Sequence, residues 1–243
     1  KKWWIIIPIA AILLNSGYLA SIFQVTISSS KLPDGKIPIR IASYNAGKFK
    51  SWEHFETQYY ISEFLKNDKA NIICFQEYRE NTKINADTLS RLLNCPHHAI
   101  AYLPGSTTLG TGIFSKYPIL QFGKIPLASQ TNDAMWVDIQ TGETRIRIIS
   151  CHLQTTNFSK KRRLLDDPVL QNADIQQVED VVTDISQELA QNFKIRATQA
   201  QIVRQVIDTT RIPTIVCGDF NDTPASYAYH RIQKGLVDGF RDC

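Results

Sequence analysis

PTIVCGDFNDTPAS, residues 213–226, is a stretch in which a run of apolar side chains gives way abruptly to polar ones. The apolar half is typical of a buried strand, and Asp219 stands where that strand would end. Asn221 and Asp222 follow directly. Because a sheet interior excludes unpaired polar groups, these side chains must meet water or one another at the strand end. The stretch therefore predicts a sheet with a polar site at one edge.

Three other predicted strands end in side chains of the same chemical kind, namely Asn45, Glu77 and His152. If the four strand ends converge, they bring carboxylates, amides and an imidazole together. Carboxylate oxygens suit Mg²⁺, whereas amide and imidazole N–H groups donate to phosphoryl oxygens. The set is therefore suited to a hard divalent cation and a phosphate.

Helical and strand patterns are mixed along the rest of the chain. Apolar residues recur at helical spacing in 53–68, 85–94 and 174–208, and 134–154 has the pattern of a β-hairpin around the turn TGET. A further helix is expected after GDFND, with Thr223 as its cap. This order predicts a layered α/β (α+β) fold in which helices cover sheets.

Five short segments, SYN, FQE, GIFSKYPI, SCHLQ and GDFND, give the chain a family resemblance. Their order and approximate spacing resemble those of the endonuclease/exonuclease/phosphatase superfamily, and GDFN is the most specific of them. The resemblance covers about residues 37–243. It implies a two-sheet α/β sandwich of the DNase I-like type, with Mg²⁺-dependent or Mn²⁺-dependent cleavage of a phosphate ester at one edge.

The resemblance also implies a role for each polar strand end. Glu77 would be the metal ligand, and Asn45 would support the metal site. Asp219 would orient or deprotonate the attacking water. Asn221 and His152 would hold the scissile phosphate and stabilise its growing charge. Each residue also has an ordinary structural interpretation, such as a turn cap for Asn45 or a core histidine for His152.

The N-terminal residues have the composition of a membrane segment. No charged residue occurs in 3–30, and the apolar core WWIIIPIAAILLNSGYLASIF has about the length of a bilayer-spanning helix. Lys1 and Lys2 precede it, so the positive-inside rule places the domain on the extracytoplasmic side. A cleaved signal peptide is the alternative. The predicted organisation is a transmembrane anchor at 1–27, a polar linker at 28–38 and an endonuclease/exonuclease/phosphatase domain at 39–243.

The C-terminal end departs from the family pattern. Family members normally complete the site with an Asp-His pair, often within SDH, whereas this sequence reaches Cys243 without one. We expect the natural chain to continue beyond Cys243, and the missing last strands to leave sheet edges open. We also expect residues 1–243 alone to be nearly inactive, because loss of a catalytic imidazole costs orders of magnitude in rate.

The composition leaves the substrate open. A net charge of +4 is compatible with a polyanionic partner but does not require one. The main expectation is a membrane-anchored, nuclease-like phosphoesterase acting on nucleic acid. The alternatives are a lipid or sugar phosphodiesterase or phosphatase of the same fold, with a lipid headgroup as one substrate, and a catalytically inactive phosphate-binding module. No protein partner is predicted.

The remaining polar and sulfur-containing residues are given structural roles. Three of the five cysteines, Cys74, Cys151 and Cys217, lie in predicted strands and are expected to be buried, and no pair has metal-ligand spacing. His97 and His98 are assigned to a surface loop. The basic segment KKRR at 160–163 is interpreted as a solvated surface, with polyanion contact as the alternative.

Overall fold

A computed structural model describes residues 3–22, 38–49, 57–82, 85–156 and 175–239. The basic segment at 160–163 and Cys243 lie outside these residues. The described part contains two four-stranded sheets, with helices packed on them.

The N-terminal residues form two short helices, α1 (Ile6–Leu14) and α2 (Ser16–Ile22). They meet at Asn15, whose side-chain amide donates to the Ala11 carbonyl over 2.8 Å. None of the α1 side chains is buried. Within the described residues, no helix has both the length and the apolar character needed to cross a membrane. The anchor at 1–27 therefore stays a prediction, and residues 28–37 of the predicted linker lie outside the described part.

The first sheet is built from the N-terminal half of the domain. Its strands are β1 (Ile41–Asn45), β2 (Ile72–Arg79), β3 (His97–Tyr102) and β4 (Leu109–Ser115). They lie in the order β1-β2-β4-β3. β1 and β2 are parallel, and the other neighbouring strands are antiparallel.

The second sheet follows it in the chain. Its strands are β5 (Ile119–Ile125), β6 (Asp133–Thr141), β7 (Thr144–His152) and β8 (Thr214–Asp219), in sequential order. The predicted hairpin is confirmed, because Thr141 pairs with Thr144 across the turn. β7 and β8 are parallel.

The two sheets pack face to face around a hydrophobic core. Alternate side chains of both sheets meet there and are fully or almost fully buried; they include Ile72, Cys74, Ile113, Met135, Val137 and Ile148. Alternation is expected because successive side chains of a strand point to opposite faces. The predicted two-sheet sandwich is therefore confirmed, and so is the burial of Cys74 and Cys151, whereas Cys217 is only partly buried.

Helices cover the outer faces of the sandwich. α3 (Thr57–Asn67) and α4 (Ala86–Leu93) pack on the first sheet, and α5 (Ile175–Thr209) and α6 (Tyr227–Gln233) pack on the second. α4 begins after Asn85, whose side chain accepts a hydrogen bond from the Thr88 backbone N–H, as an N-cap does. The helical predictions for 85–94 and 174–208 are confirmed, and the second of these segments is a single helix.

Two local predictions are wrong. His97 and His98 do not lie in a loop but begin β3, where the ring of His98 stacks on Phe114. The cap of α6 is Ser226 rather than Thr223, because residues 223–226 first close a turn through a hydrogen bond from the Ser226 N–H to the Thr223 carbonyl. In both places the element begins among polar residues, so the apolar periodicity does not mark its first residue.

Candidate active site

The five predicted site residues converge at one edge of the sandwich. Asn45 ends β1, Glu77 lies in β2, His152 ends β7, Asp219 ends β8, and Asn221 follows it. The parallel pairs β1/β2 and β7/β8 bring the carboxyl ends of their strands to the same edge. All five residues line one open cleft of about 530 Å³.

Asn45 connects the two sheets across this cleft. Its amide nitrogen lies 2.9 Å from Asp219 Oδ2 and 3.4 Å from Glu77 Oε1. Its carbonyl oxygen accepts a hydrogen bond of 2.9 Å from the Gly47 N–H. One carboxamide therefore holds two carboxylates from different sheets at hydrogen-bonding distance.

A β-bulge aims Glu77 into the cleft. The pairing of β2 with β4 shifts between Phe75 and Tyr78, and Glu77 has φ +47. Such a bulge bends the strand and changes the direction of a side chain. Glu77 Oε1 lies 3.8 Å from His152 Nε2, and Glu77 Oε2 lies 3.8 Å from Lys48 Nζ. Two cationic or potentially cationic groups therefore flank this carboxylate.

Asp219 and Asn221 fix one another. The Asn221 backbone N–H donates to Asp219 Oδ1 over 2.9 Å, and its side-chain amide donates to the Leu153 carbonyl over 3.0 Å. Asn221 has φ +50, a conformation that asparagine tolerates better than most residues. A carboxamide carries two N–H donors, and Leu153 takes only one of those of Asn221 within the described residues, so the other can serve a ligand.

The glycine of GDFN allows the close approach of β8 to β7. Gly218 has φ +138, and a Cβ there would lie 2.0 Å from the Cys151 carbonyl oxygen. Only a residue without a side chain fits this position. The approach pairs Asp219 with His152 across the two strands.

Asp133 is a cleft residue that the sequence analysis missed. It pairs with His152 in the β6–β7 hairpin, and its Oδ1 accepts a hydrogen bond of 2.7 Å from Thr111. Its Oδ2 is buried without a hydrogen-bond partner among the described residues. Burial raises the pKa of Asp133 above its ordinary value, an effect that Thr111 and His152 reduce. Counting outward from the TGET turn would have placed Asp133 opposite His152.

Arg196 of α5 ties together the loops that follow β7 and β8. This side chain is almost fully buried, and its Nε lies 2.9 Å from Asp222 Oδ2. Its Nη1 donates to the Gln154 carbonyl over 2.9 Å. Asp222 also accepts a hydrogen bond of 2.9 Å from the Thr223 N–H. Both loops carry residues that line the cleft, so Arg196 holds these loops in position without lining the cleft itself.

A hydrated divalent cation fits this donor set. Within the described residues, no three His, Cys, Asp or Glu side chains form a closed metal cluster. Mg²⁺ does not require one, since it usually keeps several waters and binds one or two carboxylates. Glu77 offers such a carboxylate, held by the Asn45 amide, and the Lys48 ammonium 3.8 Å from its Oε2 is a cation already drawn to it.

The Endonuclease/Exonuclease/phosphatase family model matches residues 42–241 of this sequence. Among curated protein sequences, none matches significantly.

Several solved structures share the fold at low sequence identity. The human nocturnin catalytic domain with bound sulfate has a TM-score of 0.52 and 18% identity, over 82% of this chain and 69% of that one. A double mutant of Staphylococcus aureus beta toxin with bound magnesium ions has a TM-score of 0.52 and 16% identity, over 81% and 69%. Sphingomyelinase C from Streptomyces griseocarneus has a TM-score of 0.50 and 15% identity, over 80% and 67%. At these identities the likeness establishes the fold alone.

Proposed function

We infer that this chain, which belongs to the endonuclease/exonuclease/phosphatase family, is a hydrolase of phosphate esters. We propose further that it is a divalent-metal-dependent phosphodiesterase of nuclease type. The observation that carries the proposal is the Asn45 amide, which joins the Glu77 and Asp219 carboxylates at the sheet edge. Two carboxylates from different sheets with a carboxamide between them are not an arrangement that an ordinary structural ion pair requires.

The residues have separate tasks in this proposal. Glu77, supported by Asn45, would hold Mg²⁺ or Mn²⁺, and the bound ion would supply Lewis-acid polarisation of a phosphoryl oxygen. Asp219 is held by Asn45 and by the Asn221 backbone, so its carboxylate is oriented to accept a proton from the attacking water. His152 and the free N–H of Asn221 would donate to the phosphoryl oxygens as negative charge grows.

A lipid phosphodiester is the second candidate substrate. The support for it is the apolar N-terminal segment, where the Leu13 and Leu14 side chains are 67% and 86% exposed. An enzyme attached to a bilayer meets lipid headgroups at high local concentration. The shared fold with a sphingomyelinase C is consistent with this candidate. We propose that the N-terminal helices hold the domain at the membrane, on the extracytoplasmic side.

The first test measures metal binding and turnover together. Mn²⁺ affinity is measured by calorimetry, and hydrolysis of DNA, RNA and sphingomyelin is measured with Mg²⁺ or with EDTA. We expect Glu77→Gln to weaken Mn²⁺ binding at least about tenfold, since even outer-shell partners are worth that much. We expect Asp219→Asn to lower any turnover about 10²–10⁴-fold.

The matched control is Glu63→Gln on α3, which changes the same functional group at an exposed position that does not line the cleft. It should leave both readouts unchanged. Unaltered Mn²⁺ binding in Glu77→Gln would rule out the proposed metal position. Hydrolysis of sphingomyelin in preference to nucleic acid would select the lipid candidate.

A further inference from the structure

Lys48 is a cationic residue of the cleft to which the proposed chemistry gives no task. Its Nζ lies 3.8 Å from Glu77 Oε2, and its side chain is 40% exposed. Among the described residues that line the cleft, it is the only lysine or arginine. Glu77, Asp133 and Asp219 line the same cleft. A phosphate group that enters it meets three acidic side chains and one basic side chain.

The turn that carries Lys48 is held firmly in an unfavourable conformation. Lys48 and Phe49 both have left-handed backbone, with φ +61 and +52. The Gly47 N–H is bonded to the Asn45 side chain, and the Phe49 N–H donates to the Ala46 carbonyl over 2.7 Å. Left-handed residues other than glycine persist where the surroundings enforce them, and they concentrate at functional sites.

Phe49 anchors this turn in the core. Its side chain is buried, and its ring makes edge contacts with Phe75 and Tyr78 at centroid distances of 5.5 and 5.9 Å. Because Phe49 is fixed, the backbone of the neighbouring Lys48 is held at the rim of the cleft. A lysine has four flexible methylene groups, so the ammonium can move while the backbone stays in place.

We propose that Lys48 binds the substrate phosphate and also competes with the divalent metal for Glu77. Without metal, the Lys48 ammonium pairs with the Glu77 carboxylate. When a divalent cation binds Glu77, like-charge repulsion moves the ammonium away, and it turns to the phosphate anion in the cleft. This inference deepens the proposed function and rests on it.

Two binding titrations test the proposal without need for turnover. In the first, Mn²⁺ is titrated into the parent chain and into Lys48→Met by calorimetry. We expect Mn²⁺ to bind about two- to fivefold more tightly to Lys48→Met, because a partly exposed competing ion pair has been removed. In the second, inorganic phosphate is titrated in the presence of saturating Mg²⁺. We expect Lys48→Met to bind it about threefold more weakly or worse.

The controls separate this effect from a general defect. Lys48→Arg keeps the charge and should bind phosphate nearly as well as the parent chain. Lys66→Met makes the same chemical change at an exposed position on α3 and should alter neither titration. A misfolded cleft would weaken both ligands, so opposite signs for metal and phosphate are the expected signature.

The possible failures are distinguishable. Weaker or unchanged Mn²⁺ binding by Lys48→Met, or unchanged phosphate binding, overturns the role of Lys48. If Glu77→Gln binds Mn²⁺ as tightly as the parent chain, the metal position itself is wrong and the competition falls with it. If Glu77→Gln loses Mn²⁺ while Lys48→Met behaves like the parent chain, the proposed function stands and this inference alone fails.

Discussion

At the scale of single residues, left-handed backbone presents two cleft side chains besides Lys48. Glu77 and Asn221 have φ +47 and +50, and neither is a glycine. Each such residue costs on the order of 1–3 kcal/mol and persists only where its contacts hold it. For Asn221 those contacts are the hydrogen bonds to Asp219 and Leu153. This edge of the sandwich therefore gives up stability in order to direct two polar groups.

Asp133→Asn is expected to stabilise the fold at neutral pH. Burial raises the pKa of Asp133, so the folded chain holds the proton more tightly than the unfolded chain. Stability is therefore lost as the pH rises from the ordinary value of 3.8 through the raised pKa. Asparagine does not ionise, and its oxygen can still accept from Thr111.

We expect this substitution to add about 1 kcal/mol to the free energy of unfolding at about pH 7. The gain should shrink toward zero near pH 3, where the carboxyl group is protonated in both states. Thermal unfolding at several pH values measures it. A gain of equal size at both ends of this range would show that ionisation of Asp133 is not the cause.

At the scale of secondary structure elements, the pairing of β7 with β8 depends on Gly218. We expect Gly218→Ala to destabilise the fold by roughly 3 kcal/mol or more, because its Cβ would lie 2.0 Å from the Cys151 carbonyl oxygen and the two strands would have to separate. Denaturation in urea measures the loss.

The control for Gly218 is Gly142→Ala in the β6–β7 turn. Gly142 also has positive φ, at +61, but a Cβ there would meet nothing within 4 Å. It should cost about 1 kcal/mol from backbone strain alone. If the two variants lose equal stability, the close approach of β8 to β7 is not what requires the glycine.

α5 supports the cleft through one buried ion pair. We expect Arg196→Met to destabilise the fold by about 3–5 kcal/mol, since it leaves the buried Asp222 carboxylate unpaired. Adding Asp222→Asn should recover part of that loss, because no charge then remains buried. Chemical denaturation of the single and double variants measures the effect. A double variant no more stable than Arg196→Met would mean that the ion pair is unimportant.

The sequence predicted those site residues whose position depends only on where a strand ends. Asn45, His152 and Asp219 follow from apolar runs that stop at a polar side chain. Asp133 could not be placed without the register of the hairpin, which fixes its neighbour across the strand.

Two other features of the site could not be predicted from sequence patterns. The direction of Glu77 depends on a bulge, and no periodicity reports a bulge. Arg196 lies on a helix more than twenty residues from its partner Asp222, so its role required the tertiary fold. The two-sheet sandwich itself was expected from family resemblance, because strand pairing is not encoded in alternation.

At the scale of the whole molecule, α1 contributes no buried side chain to the described structure. We expect the chain to float with phosphatidylcholine vesicles and the pair Ile9→Asp with Leu13→Asp to abolish most of this binding. A charge at membrane depth costs at least about 2–3 kcal/mol. Thermal unfolding should be unchanged, since no side chain of α1 is buried within the described structure.

The matched control for the vesicle experiment lies on α3. Tyr60→Asp with Phe64→Asp places two charges on side chains that are 69% and 71% exposed. If this pair lowers flotation as much as the N-terminal pair does, the attachment is not confined to α1 and α2.

The hydrogen bond between Asn45 and Asp219 joins residues 174 positions apart. Ribosomes add about 5–20 residues per second, so Asp219 is synthesised roughly 10–35 s after Asn45. During that interval the nascent chain carries Asn45 and Glu77 but lacks the carboxylate that would accept a proton from water. In the proposed mechanism a growing chain is therefore unable to hydrolyse the phosphate esters around it at least until β8 has been synthesised and has paired with β7.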